Sequence, residues 1–326
     1  MHNANRNIYV KSSITYELVK NILNTLHKTN IIFYIDLASV CKGLYNKNNV
    51  FNEINYYIEN KRPSDQLVNE YRDYLNLLHK RFRGFNPKFV TFFDDGQNSQ
   101  NLSIQSSYKS GRSSLADIID KDEDLYLFKQ LKKRYWEEIE QKCSIKGHGV
   151  VYNLHEYESD LIPYYVIKNN FYESGEEHTL NVVISNDKDL LQCCQFTNTI
   201  QFTNRFMPSQ TGNKRLAIDC WDNNSAIEYI YKKFKRGALT SKHIVLILAL
   251  AGDKADGING IKNVGPKKAI DLILNYNIPI DPLILKNELQ NMPDIIKTNI
   301  TTIVENIKMI SFEEQLKRIK ITKREM

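Results

Sequence analysis

Carboxylates are the residues of this chain whose types and spacing can do chemistry, and they recur where apolar runs stop. Ile31-Ile32-Phe33-Tyr34-Ile35 ends at Asp36, and Phe89-Val90-Thr91-Phe92-Phe93 ends at Asp94-Asp95-Gly96. Asn181-Val182-Val183-Ile184 leads into Ser185-Asn186-Asp187-Lys188-Asp189. Further acids stand in Glu158-Ser159-Asp160, at the start of a predicted helix, and in Gly252-Asp253-Lys254-Ala255-Asp256-Gly257. Taken singly, an Asp after a strand is an ordinary helix cap. Gathered in one place, Asp36, Asp95, Glu158, Asp160, Asp187, Asp189, Asp253 and Asp256 would repel one another and raise each other's pKa values unless cations neutralised them. Oxygen ligands with no His or Cys beside them select Mg²⁺, with Mn²⁺ as a substitute, over zinc. Two such ions about 4 Å apart activate water and stabilise the leaving oxygen in phosphodiester cleavage.

The elements that must position these acids follow from periodicity. Ile14, Leu18, Ile22, Leu23 and Leu26 mark a helix before the first apolar run, and a second helix is predicted over about residues 65–82 before the next. Short apolar strands separated by helices indicate an α/β protein with a largely parallel central sheet flanked by helices. Ligands of such sheets collect beyond the carboxyl ends of the strands, where the acids stand. Gln97 to Ser114 is polar and reads as a loop; Leu115 to Lys142 is a charged helical stretch with Lys129, Lys132, Lys133 and Arg134. Beyond about residue 223 the chain reads as helical, which divides it into an α/β domain, residues 1–222, and a helical domain, residues 223–326.

Two further segments suit phosphate. In Gly260-Ile261-Lys262-Asn263-Val264-Gly265-Pro266-Lys267-Lys268, a tight turn leads into a helix with Pro at its first position. Free N–H groups at such a terminus bind phosphate without reading bases, and Lys262, Lys267 and Lys268 add charge. The plainer reading is an ordinary corner with solvated lysines. Tyr108-Lys109-Ser110-Gly111-Arg112 places two cations after the Asp95 strand, where they could clamp a scissile phosphate, although exposed Lys and Arg are more often simply solvated.

Composition narrows the class. The chain has 326 residues, 42% hydrophobic and 25% charged, values that exclude a disordered or fibrous protein. Its longest wholly apolar run, Ile244 to Ala251, is far short of the roughly 20 residues that span a bilayer, so no membrane association is expected. The polar start has no apolar segment of the secretory kind. Cys41, Cys143, Cys193, Cys194 and Cys220 are odd in number and form no C-x-x-C, which favours reduced thiols and a cytoplasmic location, host cytoplasm if the source is a phage. The net charge is +6; without the eight acids named above, 44 basic residues face 30 acidic ones, a balance of +14. The reading is a basic surface around an acidic pocket, suited to nucleic acid.

In this order the segments resemble the 5′-nuclease superfamily of flap endonucleases and 5′–3′ exonucleases, the stand-alone phage type being the nearest subgroup. Val183 to Gln192 looks like its I-S-x-D-x-D-L-x-Q segment; Ala251 to Ile258, continuing to Lys267, is similar to its helix–three-turn–helix; Tyr108 to Arg112 looks like its Y-K-x-x-R. The resemblance implies a helical arch over about residues 97–145 and a duplex-binding helix–three-turn–helix over about residues 241–275. Asp36, Asp95, Glu158 and Asp160 would hold one metal ion, and Asp187, Asp189 and Asp253 the second, supported by Asp256. Lys109 and Arg112 would act catalytically at the foot of the arch, with Tyr108 beside them binding DNA. Lys262, Gly265, Lys267 and Lys268 would hold duplex DNA, with a K⁺ ion near Val264 and Gly265. The implied enzyme is a monomeric Mg²⁺-dependent hydrolase acting on DNA with 5′ single-strand/duplex junctions and on RNA–DNA hybrids, as in primer removal during replication or repair. Single-strand-binding protein and clamp are partners that fit that role. Two departures stand out: Leu161 occupies a position where the family has a carboxylate, and Gln97 to Ser107 contains no match to the early Arg or His of the arch.

Two alternatives remain at this level. A PIN-like ribonuclease shares the sheet and an acidic cluster, but is shorter and has no counterpart of Gly252 to Lys268. A structure-specific DNA-binding protein that has lost catalysis would account for Leu161, though not for retention of the other acids at an electrostatic cost.

Overall fold

A computed structural model describes residues 13–40, 47–93, 104, 122–145, 149–152, 158–169, 178–208, 214–232 and 239–318. Helix α1 (Ser13–Thr25) leads into strand β1 (Asn30–Asp36), and α2 (Lys47–Asn60) and α3 (Asp65–Phe82) lead into β2 (Pro87–Phe92). Helix α4 (Asp122–Ile145), β3 (Val150–Tyr152), α5 (Leu161–Lys168) and β4 (Thr179–Ile184) follow, then the hairpin strands β5 (Thr199–Pro208) and β6 (Lys214–Trp221). The sheet order is β3-β2-β1-β4-β5-β6. All neighbours are parallel except β5 and β6. The mostly parallel sheet is thus as the apolar runs predict, whereas β3, β5 and β6 were not legible as strands.

Both faces of the sheet are covered, which is why β1 is apolar throughout rather than alternating. Ile31, Phe33 and Ile35 pack on one side with residues of α1, α3 and α4. Ile32 and Tyr34 pack on the other with α5 and with Phe312 from the C-terminal region. The C-terminal half of the charged stretch before residue 145 belongs to this core. Leu131, Tyr135, Trp136 and Ile139 are buried at helical spacing, and Trp136 stacks on Phe93 with ring centroids 4.0 Å apart. An ion pair of 3.0 Å between Lys142 and Asp65 ties α4 to the start of α3.

Beyond β6 the chain is mainly helical. Helix α6 (Ile244–Ala251) is followed by the two-stranded β7 (Gly252–Asp253) and β8 (Ile258–Asn259), then α7 (Pro266–Tyr276), α8 (Ile300–Ile310) and α9 (Phe312–Leu316). No described helix is long and apolar enough to cross a membrane. The run IVLILAL of α6 is apolar all round because it is buried all round, the hub of a core that includes Ile273 of α7 and Ile307 of α8. That core also takes in Leu191 and Cys194 from the segment after β4, so the helical region and the sheet share packing.

The turn from α6 into β7 needs two glycines. Gly252 has φ +81°, and a Cβ there would overlap the backbone of Gly260; a Cβ on Gly260 would overlap Ala251 and Gly252 in return. Asp253 is held at this close crossing. Gly260→Ala is expected to destabilise the protein by about 3 kcal/mol, because backbone rather than a flexible side chain must move. A urea unfolding midpoint equal to wild type would show that the crossing is not under this constraint.

Candidate metal and nucleic-acid site

The chain passes from β1 to β2 on one side and later returns as β4 on the other, so the ends of β1 and β4 flank the switch point of the sheet. Ile35 of β1 pairs with Ile184 of β4, which sets Asp36 beside Ser185. Asp36 Oδ2 accepts hydrogen bonds from Ser39 Oγ and Ser185 Oγ, both at 2.6 Å, and Oδ1 accepts one from the Ser39 backbone N–H at 3.3 Å. Burial pushes the Asp36 carboxyl above the usual range, the two hydroxyls oppose this, and the charge of Asp187 adds to it.

After β4 the chain turns through a loop fixed at several points. Gln201 Nε2 donates to the carbonyls of Ser185 (3.1 Å) and Asp187 (2.8 Å), and Tyr229 Oη donates to that of Asn186 (3.1 Å). Asp187 Oδ1 accepts from the Asp189 N–H at 2.9 Å, a local turn that leads into the helical turn Asp189–Gln195, whose N-cap position is Lys188. Asp253 holds its own turn in the same way, Oδ1 accepting from the Ala255 N–H at 3.1 Å. Each thus commits one oxygen to local structure.

Asp189, Asp253 and Asp256 come together from the sheet and the helical region, with one carboxylate oxygen of each within 4.8 Å of the others. Asp253 and Asp256 are buried; Asp189 Oδ1 is also buried and accepts no hydrogen bond among the described residues. Burial pushes the Asp189 carboxyl well above the usual range, and Asp187, Asp256 and Asp253 reinforce the shift, while Lys188 opposes it. Lys188 Nζ lies 2.6 Å from Asp253 Oδ2. An orphaned oxygen within a dry, oxygen-only group of acids fits a hard divalent cation.

Among the described residues, no other predicted acid joins this group at that distance. Asp187 stands beside it, its charge bearing on both Asp36 and Asp189. Glu158 is buried, and Ser159 Oγ donates to the Phe93 carbonyl, which fastens Glu158-Ser159-Asp160 to the end of β2. The charge of Asp160 bears on buried Cys193. Leu161, at the start of α5, is fully buried among Ile162, Val166 and Phe312, so an apolar contact stands there. Asp94 and Asp95, with Tyr108, Lys109 and Arg112, lie outside the described residues.

The predicted phosphate turn takes shape at α7. Gly265 is its N-cap, Pro266 its first residue, and Lys262, Lys267 and Lys268 are exposed, while Ala269, Ile270 and Ile273 face the core. Gly265 has φ −94° and nothing within 4 Å of a Cβ placed on it, so neither strain nor crowding demands glycine. What glycine contributes is uncovered backbone.

Two amides that sequence reasoning left without a role hold the site together. Asn306 of α8, buried, donates from Nδ2 to the carbonyls of Ala249 (2.9 Å) and Asn259 (2.8 Å), bridging α6 to β8, the strand paired with the one that carries Asp253. Gln192 donates to the Ile310 carbonyl at 3.0 Å and accepts from the Phe312 N–H at 3.1 Å, tying the Asp189 segment to the junction of α8 and α9. Gln192 lies at the end of the Val183 to Gln192 segment, whereas Asn306 carries no local signal. Asn306→Leu leaves the carbonyls of Ala249 and Asn259 without this donor, so a loss of about 2 kcal/mol is expected in urea melts. An unchanged midpoint would rule out Asn306 as the clasp of this turn.

No family model matches the chain. In sequence it is similar to a 5′–3′ exonuclease of Buchnera aphidicola subsp. Schizaphis graminum (strain Sg), 24% identical over 283 residues that cover 86% of this chain and 84% of the relative. Its fold is similar to that of T5 5′-exonuclease with bound zinc, at TM-score 0.58 and 14% identity over 87% of this chain and 90% of that one. It is equally similar to the bacteriophage T5 flap endonuclease in a pseudo-enzyme–product complex with DNA and metal ions, at TM-score 0.58 and 14% identity over 87% and 89% of the two chains.

Proposed function

We propose that the chain belongs to the 5′-nuclease superfamily and is a Mg²⁺-dependent, structure-specific 5′–3′ exonuclease and flap endonuclease. Its substrates are DNA with 5′ single-strand/duplex junctions and RNA primers annealed to DNA. The observation that carries this reading is the closure of Asp189, Asp253 and Asp256 to within 4.8 Å, at the sheet edge where β1 and β4 end. The curated relative is a 5′–3′ exonuclease, and the T5 structures hold metal ions, in one case with DNA; both support it.

Asp189, Asp253 and Asp256, with Asp187 beside them, would hold one Mg²⁺ ion, and Asp36, Asp95, Glu158 and Asp160 the other. Bound there, Mg²⁺ supplies positive charge that makes water more acidic and stabilises negative charge on the phosphate and the leaving oxygen. Ser39 and Ser185 fix the orientation of Asp36 through their hydroxyls. Lys109 and Arg112 steady the reacting phosphate, and the products carry a 5′-phosphate. Away from the acids, the Gly265 backbone and Lys262, Lys267 and Lys268 hold the duplex phosphates, with K⁺ at the turn near Val264. Recognition is then by shape and charge, and affinity falls steeply with salt. The ordered α6–α7 corner weighs against a PIN-like ribonuclease.

A labelled 5′-flap duplex and an RNA–DNA hybrid, each incubated with Mg²⁺ or EDTA, test the proposal. The expected result is release of 5′ ends at junctions with Mg²⁺ alone. No cleavage would point to a DNA-binding module, and cleavage of RNA without regard to duplex to a PIN-like enzyme. Asp187→Ala should keep junction binding and lose cleavage; undiminished Mg²⁺-dependent cleavage would sink the metal assignment.

The Gly265 turn has its own test. Gly265→Ala should fold with a loss of no more than about 1 kcal/mol, since the position has room and an ordinary backbone angle. Its duplex affinity should nevertheless fall several-fold, as read by fluorescence anisotropy at two salt concentrations. Wild-type affinity in that variant would remove the turn from the DNA interface.

A further inference from the structure

Lys188 lies inside the acidic group rather than on its rim. Its Nζ is 2.6 Å from Asp253 Oδ2, and its side chain is 25% exposed against 6% for Asp253. The charges of Asp189, Asp253 and Asp256 all bear on this ammonium. These are the same three residues that close to metal-holding distance. Asp253 Oδ1 is engaged by the Ala255 N–H, so Oδ2 is the oxygen Asp253 can turn toward a metal ion, and it is the one the lysine holds.

Two cations cannot share that oxygen at contact distance without strong mutual repulsion. An ammonium on a flexible four-carbon stem, still partly open to solvent, can leave where a rigidly packed group could not. We propose that Lys188 is an internal counter-ion of the Asp189–Asp253–Asp256 site, which a divalent ion must displace from Asp253, and that it thereby sets the ion affinity of the site. The inference rests on the metal site proposed above and adds a residue that acts on it without being a ligand. In this role Lys188 lets buried Asp253 and Asp256 and half-buried Asp189 fold together before an ion arrives, and it weakens ion binding by the strength of the contact that must be broken.

The experiment compares wild type, Lys188→Met and Lys188→Arg by Mn²⁺ titration, with free Mn²⁺ read by electron paramagnetic resonance, and by thermal melts in EDTA and in Mg²⁺. Lys188→Met should bind Mn²⁺ about tenfold more tightly, the equivalent of losing one half-buried charge pair. It should also melt lower than wild type in EDTA and gain more from Mg²⁺. Lys188→Arg keeps the charge and should stay near wild type in both measurements. Lys188→Gln, neutral but polar, supplies the same comparison if the methionine variant does not fold. Equal or weaker Mn²⁺ binding by a folded neutral variant overturns the counter-ion role while leaving the metal site intact. Failure of wild type itself to bind Mn²⁺ overturns the metal site, and this inference with it.

Discussion

Burial of carboxylates drawn to one edge, compounded by their mutual repulsion, is the constraint to which the rest of this structure responds. Asp36 and Asp189 are both pushed above the ordinary carboxylate range, chiefly by burial and then by neighbouring acids. The protein offsets this with local donors, two serine hydroxyls on Asp36 and backbone N–H groups on Asp187 and Asp253, and with the Lys188 ammonium ion-paired to Asp253. None of these reaches the buried Oδ1 of Asp189. The site is therefore held in a strained electrostatic state by the surrounding fold, the condition in which an added cation has most to contribute.

Holding such a group together takes packing from distant parts of the chain. Asp189 belongs to the segment that follows β4, whereas Asp253 and Asp256 belong to the turn after α6. Leu191 and Cys194 enter the same apolar core as α6, which anchors the two pieces to each other. Gln192 and Asn306 then fix their relative placement by hydrogen bonds to main-chain carbonyls, and the Gly252–Gly260 crossing sets the path of the turn. Apolar burial supplies the stability of this arrangement, and the buried amides supply its geometry.

Charge is segregated to match. The acids lie at the carboxyl edge of the sheet, while Lys262, Lys267 and Lys268 are exposed around an α7 N-terminus whose glycine leaves the backbone open. A modest net charge of +6 thus conceals two opposite surfaces, one concentrated and buried, the other spread and solvated. For a polyanionic substrate, the second attracts the backbone that the first would repel without metal.

Much was legible in the residues alone. Apolar runs ending in acids specified parallel strands and their common edge, because a strand covered on both faces must be apolar and must end where polar groups can meet solvent. The Gly-Pro-Lys-Lys signature specified the start of α7. Local pattern was silent on features created by contact across the chain. The charges of Leu115 to Lys142 mask the buried stripe Leu131, Tyr135, Trp136 and Ile139 that packs α4 into the core. Which acids close on one another, the role of Asn306 and the partner of Lys188 depend on bringing residue 189 to residue 253. No periodicity or spacing encodes that approach; it is decided when the apolar surfaces of α6 and the segment after β4 pack together.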